Sequence, residues 1–163
     1  MRKVEFVPFK LTDKAEIYSI RVDDRETTEF QEFIVTYKNT EDIFLEDDYN
    51  SIIRTLIKMA SEGISESLFR PEGSIKDRIC ALPLFSIKRD KGKHGTLRLY
   101  CIRISDKIII LGGGGEKSTR TYQEDISLNE KVELLQQIDR ELSIIEDNGI
   151  DLSVELNNII LNI

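Results

Sequence analysis

Residues 107–120 read KIIILGGGGEKSTR, and this stretch constrains the fold more than any other part of the sequence. Residues 108–111 are all apolar, which is typical of a central β-strand covered on both faces. Four glycines follow, and glycines at the end of a strand allow a bend and the close approach of another backbone or a ligand. Lys117 and Arg120 come next, and we expect both to project from the edge of the sheet.

The glycine run does not match a nucleoside-triphosphate loop of the Walker type. That loop has one glycine directly before its lysine and another five residues earlier, after a strand and at the start of a helix. Here Glu116 precedes Lys117, and Leu111 stands five residues before Glu116. A carboxylate next to the lysine would repel the phosphates. The glycines therefore either shape the end of the strand or form a flexible connection to the following helix.

The first 63 residues predict two strands and then two helices. Strands are expected at residues 4–9 and 16–22, and apolar residues at helical spacing predict helices at residues 28–39 and 48–62. Thr28 and Gln31 have the spacing of a capping box, which supports the start of the first helix. Gly63 suits the end of the second helix.

Residues 77–111 predict a meander of three antiparallel strands around a basic loop. Its strands read DRICALPLFSIK, GTLRLYCIRIS and KIIIL. Ser127 and Glu130 again have capping-box spacing and predict a last helix, which ends at residues 148–149. The tail, residues 150–163, is apolar enough to pack, either as a strand or as a helix.

Composition and length indicate one globular domain spanning residues 1–163, with 40% hydrophobic and 33% charged residues. No run approaches the roughly 18 apolar residues of a membrane span, and the first ten residues lack the apolar core of a secretion signal. We therefore expect a cytoplasmic protein without membrane association. Cys80 and Cys101 are expected to be buried free thiols. Because His94 is the single histidine, no zinc site is expected.

The net charge of −7 hides an uneven distribution along the chain. Residues 64–120 hold twelve Lys or Arg and six Asp or Glu, so this part carries +6 and the rest of the chain carries −13. Electrostatic fields in physiological salt reach only about 8–10 Å, so a basic face can exist on an acidic protein. These cations either form such a face or merely solvate the strand surfaces.

The order of the predicted elements and a short motif resemble the RelE/HigB/ParE superfamily of bacterial toxins. Two helices precede a three-stranded meander, an arginine stands within LRLYCIRIS, and an apolar strand runs into a Lys-Ser/Thr segment within KIIILGGGGEKSTR. The resemblance covers about residues 16–120 and is most specific at 95–120. It implies an α+β fold with an N-terminal helical hairpin packed on a small antiparallel sheet. Residues 127–163 would add a C-terminal helical extension.

The same resemblance implies a function and a partner. It implies cleavage of mRNA at the ribosome or, as in ParE-like members, inhibition of DNA gyrase, with a cognate antitoxin that covers the active face. Arg98 matches the strand arginine and Lys117 the lysine after the last strand, whereas Arg120 and Tyr122 match loosely. The chain departs from the pattern in its glycines, its acidic net charge and its length. No small-molecule cofactor is implied.

Metal-free RNA cleavage uses the 2′-hydroxyl as the nucleophile on its own phosphate, and it needs a base, an acid and cations. His94 could be one partner because its ordinary pKa is about 6.5, although its loop position also suits a solvated side chain. Lys117 would act as the base if burial or neighbouring cations lowered its pKa. Arg98 and Arg120 would stay charged and bind phosphate oxygens in a fork.

The loop KRDKGKH is the most basic segment of the sequence. Its cations would contact an RNA backbone, or they only keep a hairpin loop soluble; they are Lys88, Arg89, Lys91 and Lys93. Tyr100 and Tyr122 could stack on RNA bases. Period-two alternation places Tyr100 on the same strand face as Arg98, but packing in the core would also explain this tyrosine.

The leading hypothesis is a toxin of a bacterial toxin–antitoxin system that cleaves mRNA. The alternative is a non-catalytic interaction protein of the same fold, which binds gyrase, an antitoxin or another protein. The missing second histidine and the acidic flanks favour this alternative. A third hypothesis is an accessory domain of a phage or mobile element without enzymatic activity. The sequence leaves open whether the chain is an enzyme.

Overall fold

The computed structural model describes residues 1–72, 77–84, 96–117 and 122–163 of the chain. Seven strands within these residues form one sheet: β1 (Lys3–Leu11), β2 (Glu16–Val22), β3 (Arg70–Pro71), β4 (Ile79–Leu82), β5 (Thr96–Arg103), β6 (Ile108–Lys117) and β7 (Ile160–Asn162). The same residues include four α-helices: α1 (Glu29–Tyr37), α2 (Ile43–Glu62), α3 (Ile126–Asp147) and α4 (Leu152–Glu155).

The strands are ordered β3-β4-β5-β6-β2-β1-β7, and β2 and β6 are the one parallel pair among these strands. This parallel seam is short, because it pairs residues 16–19 with residues 108–111. At its end the buried hydroxyl of Ser19 donates to the carbonyl oxygen of Leu111 at 3.1 Å. The same hydroxyl accepts from the backbone N–H of Phe30 at 3.2 Å. Ser19 thereby ties the end of the seam to the first turn of α1.

Helices cover both faces of the sheet. Ile108 and Ile110 of β6 pack in a cluster with the apolar residues of α3, whereas Ile109 and Leu111 pack with those of α1 and α2. Successive strand residues point to opposite faces of a sheet. The helices α1 and α2 therefore lie on one face, the α1/α2 face, and α3 lies on the other, the α3 face.

The glycine run belongs to a strand, because β6 continues through all four glycines to Lys117. A register shift opposite residues 99–101 of β5 falls within the run, as in a β-bulge. A Cβ on Gly112 would lie 2.8 Å from Cδ1 of Leu135 in α3. A Cβ on Gly114 would lie 2.9 Å from Cε2 of Phe33 in α1. The missing side chains thus let helices on both faces pack directly on the strand.

Two of the predicted helix ends are confirmed. Thr28 caps α1 with both bonds of the capping box: its Oγ1 accepts from the Gln31 N–H at 3.2 Å, and Oε1 of Gln31 accepts from the Thr28 N–H at 2.7 Å. Gly63 ends α2 with a φ of 96°, a conformation that glycine adopts without a steric cost. These ends are local features, so the sequence alone could predict them.

Two predicted helix starts are wrong. The helix α2 begins at Ile43 rather than at residue 48, because the side chain of Asp42 accepts from the N–H groups of residues 44 and 45. The helix α3 begins at Ile126, because Oδ1 of Asp125 accepts from the Leu128 N–H at 3.0 Å. Asp125 therefore caps α3 in place of the expected Ser127.

The predicted fold is also wrong. An N-terminal helical hairpin on a small antiparallel sheet was expected, but β1 and β2 come first and the sheet has seven strands with one parallel pair. In residues 127–163, α3 covers one sheet face and β7 pairs with β1. Among the described residues, no helix combines the length and the apolar content needed to cross a membrane.

Candidate functional site

The register of β5 and β6 places two predicted site residues on one sheet face. Lys117 at the end of β6 pairs with Thr96 of β5, and Arg98 stands two positions after Thr96 in the same strand. Residues opposite each other in a ladder share a face, and so do residues two apart in a strand. Tyr100 follows after two more residues and belongs to the cluster that packs with α3. Lys117, Arg98 and Tyr100 therefore lie on the α3 face.

The edge strand β3 adds two residues that the sequence did not single out. Arg70 pairs with Ala81, and Ala81 pairs with Tyr100, so Arg70 also lies on the α3 face. Glu72 follows Arg70 by two residues, and its N–H donates to the carbonyl oxygen of Ile79 at 3.1 Å. We call Arg70, Glu72, Arg98, Tyr100 and Lys117 the cationic cluster. Its three cations and one carboxylate give it a formal charge of +2.

Arg98 supplies a fixed positive charge within the cationic cluster. Its residue is 4% exposed, and its Nη1 donates to the carbonyl oxygen of Leu97 at 3.2 Å. Nearby, the buried carboxylate of Asp48 accepts from the Leu97 N–H at 2.9 Å. Burial and then Arg70 lower the pKa of Arg98, whereas Asp48 raises it. A guanidinium nevertheless stays protonated in proteins.

The pKa values of Glu72 and Lys117 are both displaced toward neutrality. Burial raises the pKa of Glu72, and Lys117 is the first of the cations that oppose this shift. Burial and then Arg98 lower the pKa of Lys117, and the charge of Glu72 opposes this shift in part. Proton transfer is most efficient when the pKa of a group lies near the working pH, and both shifts are in that direction.

Tyr100 and Tyr122 pack against each other at this end of the α3 face. Their ring centroids lie 6.2 Å apart in an edge-to-face arrangement. Burial and then the charge of Glu72 raise the pKa of both hydroxyls, so both stay protonated at neutral pH. Tyr100 is 0% exposed and Tyr122 is 8% exposed. Stacking of these rings on RNA bases stays a prediction, and in this conformation both rings are covered.

The structure thus brings together four of the residues predicted for the site, namely Arg98, Lys117, Tyr100 and Tyr122. The other predicted residues lie outside the described part of the chain: Lys88, Arg89, Lys91, Lys93, His94 and Arg120. Their predicted roles stay predictions.

One feature of the sequence could have suggested that Arg70 and Glu72 belong to the site. They are two residues apart, which is the spacing of side chains on one strand face. However, β3 has only two residues and forms by pairing with β4, so no pattern in residues 70–72 alone predicts a strand.

The cationic cluster can bind an anion and exchange protons with it. Arg70, Arg98 and Lys117 attract a phosphate, and fixed guanidinium groups stabilise charge that develops on phosphate oxygens. Within the described residues, no group of three or more His, Cys, Asp or Glu side chains is placed to hold a metal ion. Comparisons of the chain with protein-family models, with curated proteins and with solved structures find no match.

Proposed function

We propose that this protein is an endoribonuclease of the toxin type, which cleaves mRNA by attack of a 2′-hydroxyl and without a metal ion. One observation carries the proposal. Glu72 and Lys117, whose pKa values are displaced toward neutrality, share one sheet face with the guanidinium of Arg98. A base, an acid and a fixed cation are what this reaction needs.

Each group has one role in the proposed reaction. The ionised carboxylate of Glu72 accepts the proton of the 2′-hydroxyl, and the 2′-oxygen attacks the adjacent phosphorus. The bond from phosphorus to the 5′-oxygen breaks, and the ammonium of Lys117 gives its proton to that oxygen. Arg98 stabilises the negative charge on the other phosphate oxygens. The products are a 2′,3′-cyclic phosphate and a 5′-hydroxyl.

In this reaction Lys117 is the acid, whereas the sequence suggested it as the base. The difference follows from Glu72, a carboxylate that lies close enough to shift the pKa of Lys117. A carboxylate near neutral pH is ionised and ready to accept a proton, while an amine is protonated and ready to donate one. The resemblance extends the proposal to mRNA at the ribosome and to an antitoxin that blocks the cationic cluster.

Two substitutions test the reaction directly. Glu72→Gln and Lys117→Gln keep the approximate size of each side chain and remove the proton exchange, and each should slow cleavage of a short RNA by about 100-fold or more. Glu66→Gln and Lys107→Gln are matched controls at exposed positions outside the cationic cluster. Cleavage should persist in a chelator and should stop when the 2′-hydroxyl at the cut site is removed. Equal cleavage by all four variants would refute the assignment.

The alternative function is a non-catalytic interaction protein. The burial of Arg98, which is 4% exposed, and the net charge of −7 favour it. Expression in a bacterial host separates the two functions. Growth arrest with cut mRNA, lost in Lys117→Gln, supports the endoribonuclease, whereas growth arrest with intact mRNA supports the alternative.

A further inference from the structure

The hydroxyl of Tyr100 is buried without a hydrogen-bond partner among the residues that the structure describes. The whole residue is 0% exposed. Buried hydroxyls in folded proteins nearly always form a hydrogen bond, because an unpaired one loses its bonds to water and gains nothing in return. Phenylalanine would fill the same space without this cost. The Tyr100 hydroxyl is therefore available for a hydrogen bond to a ligand that reaches it.

The surroundings of Tyr100 indicate what kind of ligand this is. Tyr100 lies on the α3 face two residues after Arg98, and its cross-strand neighbour is Ala81. Glu72, Arg98 and Asp125 are the charged groups that shift its pKa most, while the ring packs edge-on against Tyr122. The phenol thus belongs to a cluster with three cations and one carboxylate, which attracts an anion.

The hydroxyl can act only as a neutral donor or acceptor near neutral pH. Burial and Glu72 raise the pKa of Tyr100 well above its ordinary value, and Arg98 opposes this shift only in part. An O–H group that stays protonated donates a strong, short hydrogen bond to a charged oxygen. The cations of the cluster would hold such an oxygen in place, and the phenol would fix its position.

We propose that the Tyr100 hydroxyl donates a hydrogen bond to a nonbridging oxygen of the phosphate that the cationic cluster binds. Tyr100 is then a residue that positions the phosphate group, and its ring does not stack on an RNA base. This inference rests on the proposed function, because the phosphate is that of the RNA strand at the site of cleavage. It goes beyond that function by assigning a group that takes no part in proton transfer.

The test combines a variant of the protein with a change in the RNA. Tyr100→Phe removes only the hydroxyl, and the RNA carries a 2′-deoxy nucleotide at the cut site so that it binds without being cleaved. Affinity for this RNA should fall about 10- to 100-fold, as for the loss of one hydrogen bond to a charged group. Tyr18→Phe is the matched control, since Tyr18 is buried on the same face but in β2, outside the cationic cluster.

A methylphosphonate at the contacted phosphate replaces one of the two nonbridging oxygens with a methyl group, and its two diastereomers replace different oxygens. With the diastereomer that lacks the contacted oxygen, Tyr100→Phe should cause no further loss of affinity, because the bond that the hydroxyl makes is already absent. The unfolding midpoint of Tyr100→Phe in urea should equal or exceed that of the wild-type protein. A lower midpoint would show that the hydroxyl has a partner inside the protein and would overturn the inference.

The outcomes separate this inference from the proposed function. If Lys117→Gln weakens binding of the uncleavable RNA and Tyr100→Phe does not, the inference is wrong and the proposed function stands. If Tyr100→Phe weakens binding equally with and without the methylphosphonate, the hydroxyl acts elsewhere and the inference is again wrong. If the wild-type protein does not bind the RNA, both are overturned.

Discussion

A Cβ placed on Gly114 would lie 2.0 Å from the carbonyl oxygen of Arg98, because β5 and β6 pack backbone to backbone at this point. Real Cβ atoms do not approach other heavy atoms so closely, and a backbone oxygen cannot rotate away as the end of a side chain can. Phe33 closes the same space from the α1/α2 face at 2.9 Å. A side chain at position 114 therefore requires the two strands to separate.

We expect Gly114→Ala to destabilise the protein by about 3 kcal/mol, at the upper end of the cost of overfilling a core. Gly113→Ala is the matched control on the same strand. Its Cβ would be 3.0 Å from Oε2 of Glu29, and this carboxylate can move away. Urea denaturation of both variants measures the difference. Equal losses of stability would contradict the proximity of β5 to Gly114.

The position of the cap of α3 can be tested on two residues of the same turn. Asp125→Ala removes the carboxylate that accepts from the Leu128 N–H, and we expect it to cost about 1 kcal/mol. Ser127→Ala lies inside the helix and should change stability by less than about 0.5 kcal/mol. Thermal or urea unfolding of the two variants gives the comparison. A larger loss of stability in Ser127→Ala than in Asp125→Ala would show that Ser127 caps the helix, as the sequence indicated.

Arg78 joins the start of β4 to α3 through a buried carboxylate. Its Nε lies 2.8 Å from Oδ1 of Asp139, and its backbone N–H donates to the other oxygen of Asp139 at 3.1 Å. We expect Asp139→Ala to cost about 3 kcal/mol, because it removes both bonds and leaves a half-buried guanidinium short of its main partner. Arg78 also pairs with the carboxylate of Glu146, whose side chain is 35% exposed. Glu146→Ala removes this pair and should cost about 1 kcal/mol or less. Denaturant unfolding at pH 7 measures both losses, and a larger loss in Glu146→Ala would refute this order.

The raised pKa of Glu72 has a consequence for stability as a function of pH. A carboxyl group whose pKa is higher in the folded than in the unfolded protein binds protons more tightly when folded. Its stabilising contribution is complete below the ordinary pKa of about 4.3 and is lost as the pH rises through the folded pKa. Glu72→Gln removes this dependence. The stability of the wild-type protein relative to Glu72→Gln should therefore fall as the pH rises from about 4 through the folded pKa.

Unfolding midpoints of the two proteins across this pH range provide the measurement. Three charged groups act on the pKa of Glu72: Lys117 of β6, Arg70 of β3 and Arg98 of β5. All three are cations and oppose the rise, so high salt should enlarge the effect by screening them. A relative stability that rises with pH would mean that these cations outweigh burial.

Features that depend on neighbouring residues were predictable from the sequence. The capping box of Thr28, the glycine that ends α2 and the first two strands are of this kind, because short-range bonds and periodicity determine them. Asp42 was missed as a helix cap because it stands in an acidic segment with several candidate caps. The sequence left open whether the glycine run shapes the strand or forms a flexible connection. The contacts with the helices on the two faces explain why β6 has glycines there.

Features that depend on distant residues were not predictable. The parallel seam joins Ser19 to Leu111, which are 92 residues apart, and β7 forms only by pairing with β1. The shared face of Arg98, Tyr100 and Lys117 could be predicted in part, since hairpin pairing and period two place them together. Glu72 could not, because its position depends on the pairing of a two-residue strand with β4.

Every member of the cationic cluster lies on the β6 side of the parallel seam, and four residue pairs connect this half of the sheet to β1, β2 and β7. The buried residues of the two halves nevertheless share one core, because Val4 and Tyr18 pack in the same cluster as Tyr100 and α3. Only exposed positions on β1 and β7, such as Phe9 and Ile160, are therefore expected to accept substitutions without disturbing the packing around Tyr100.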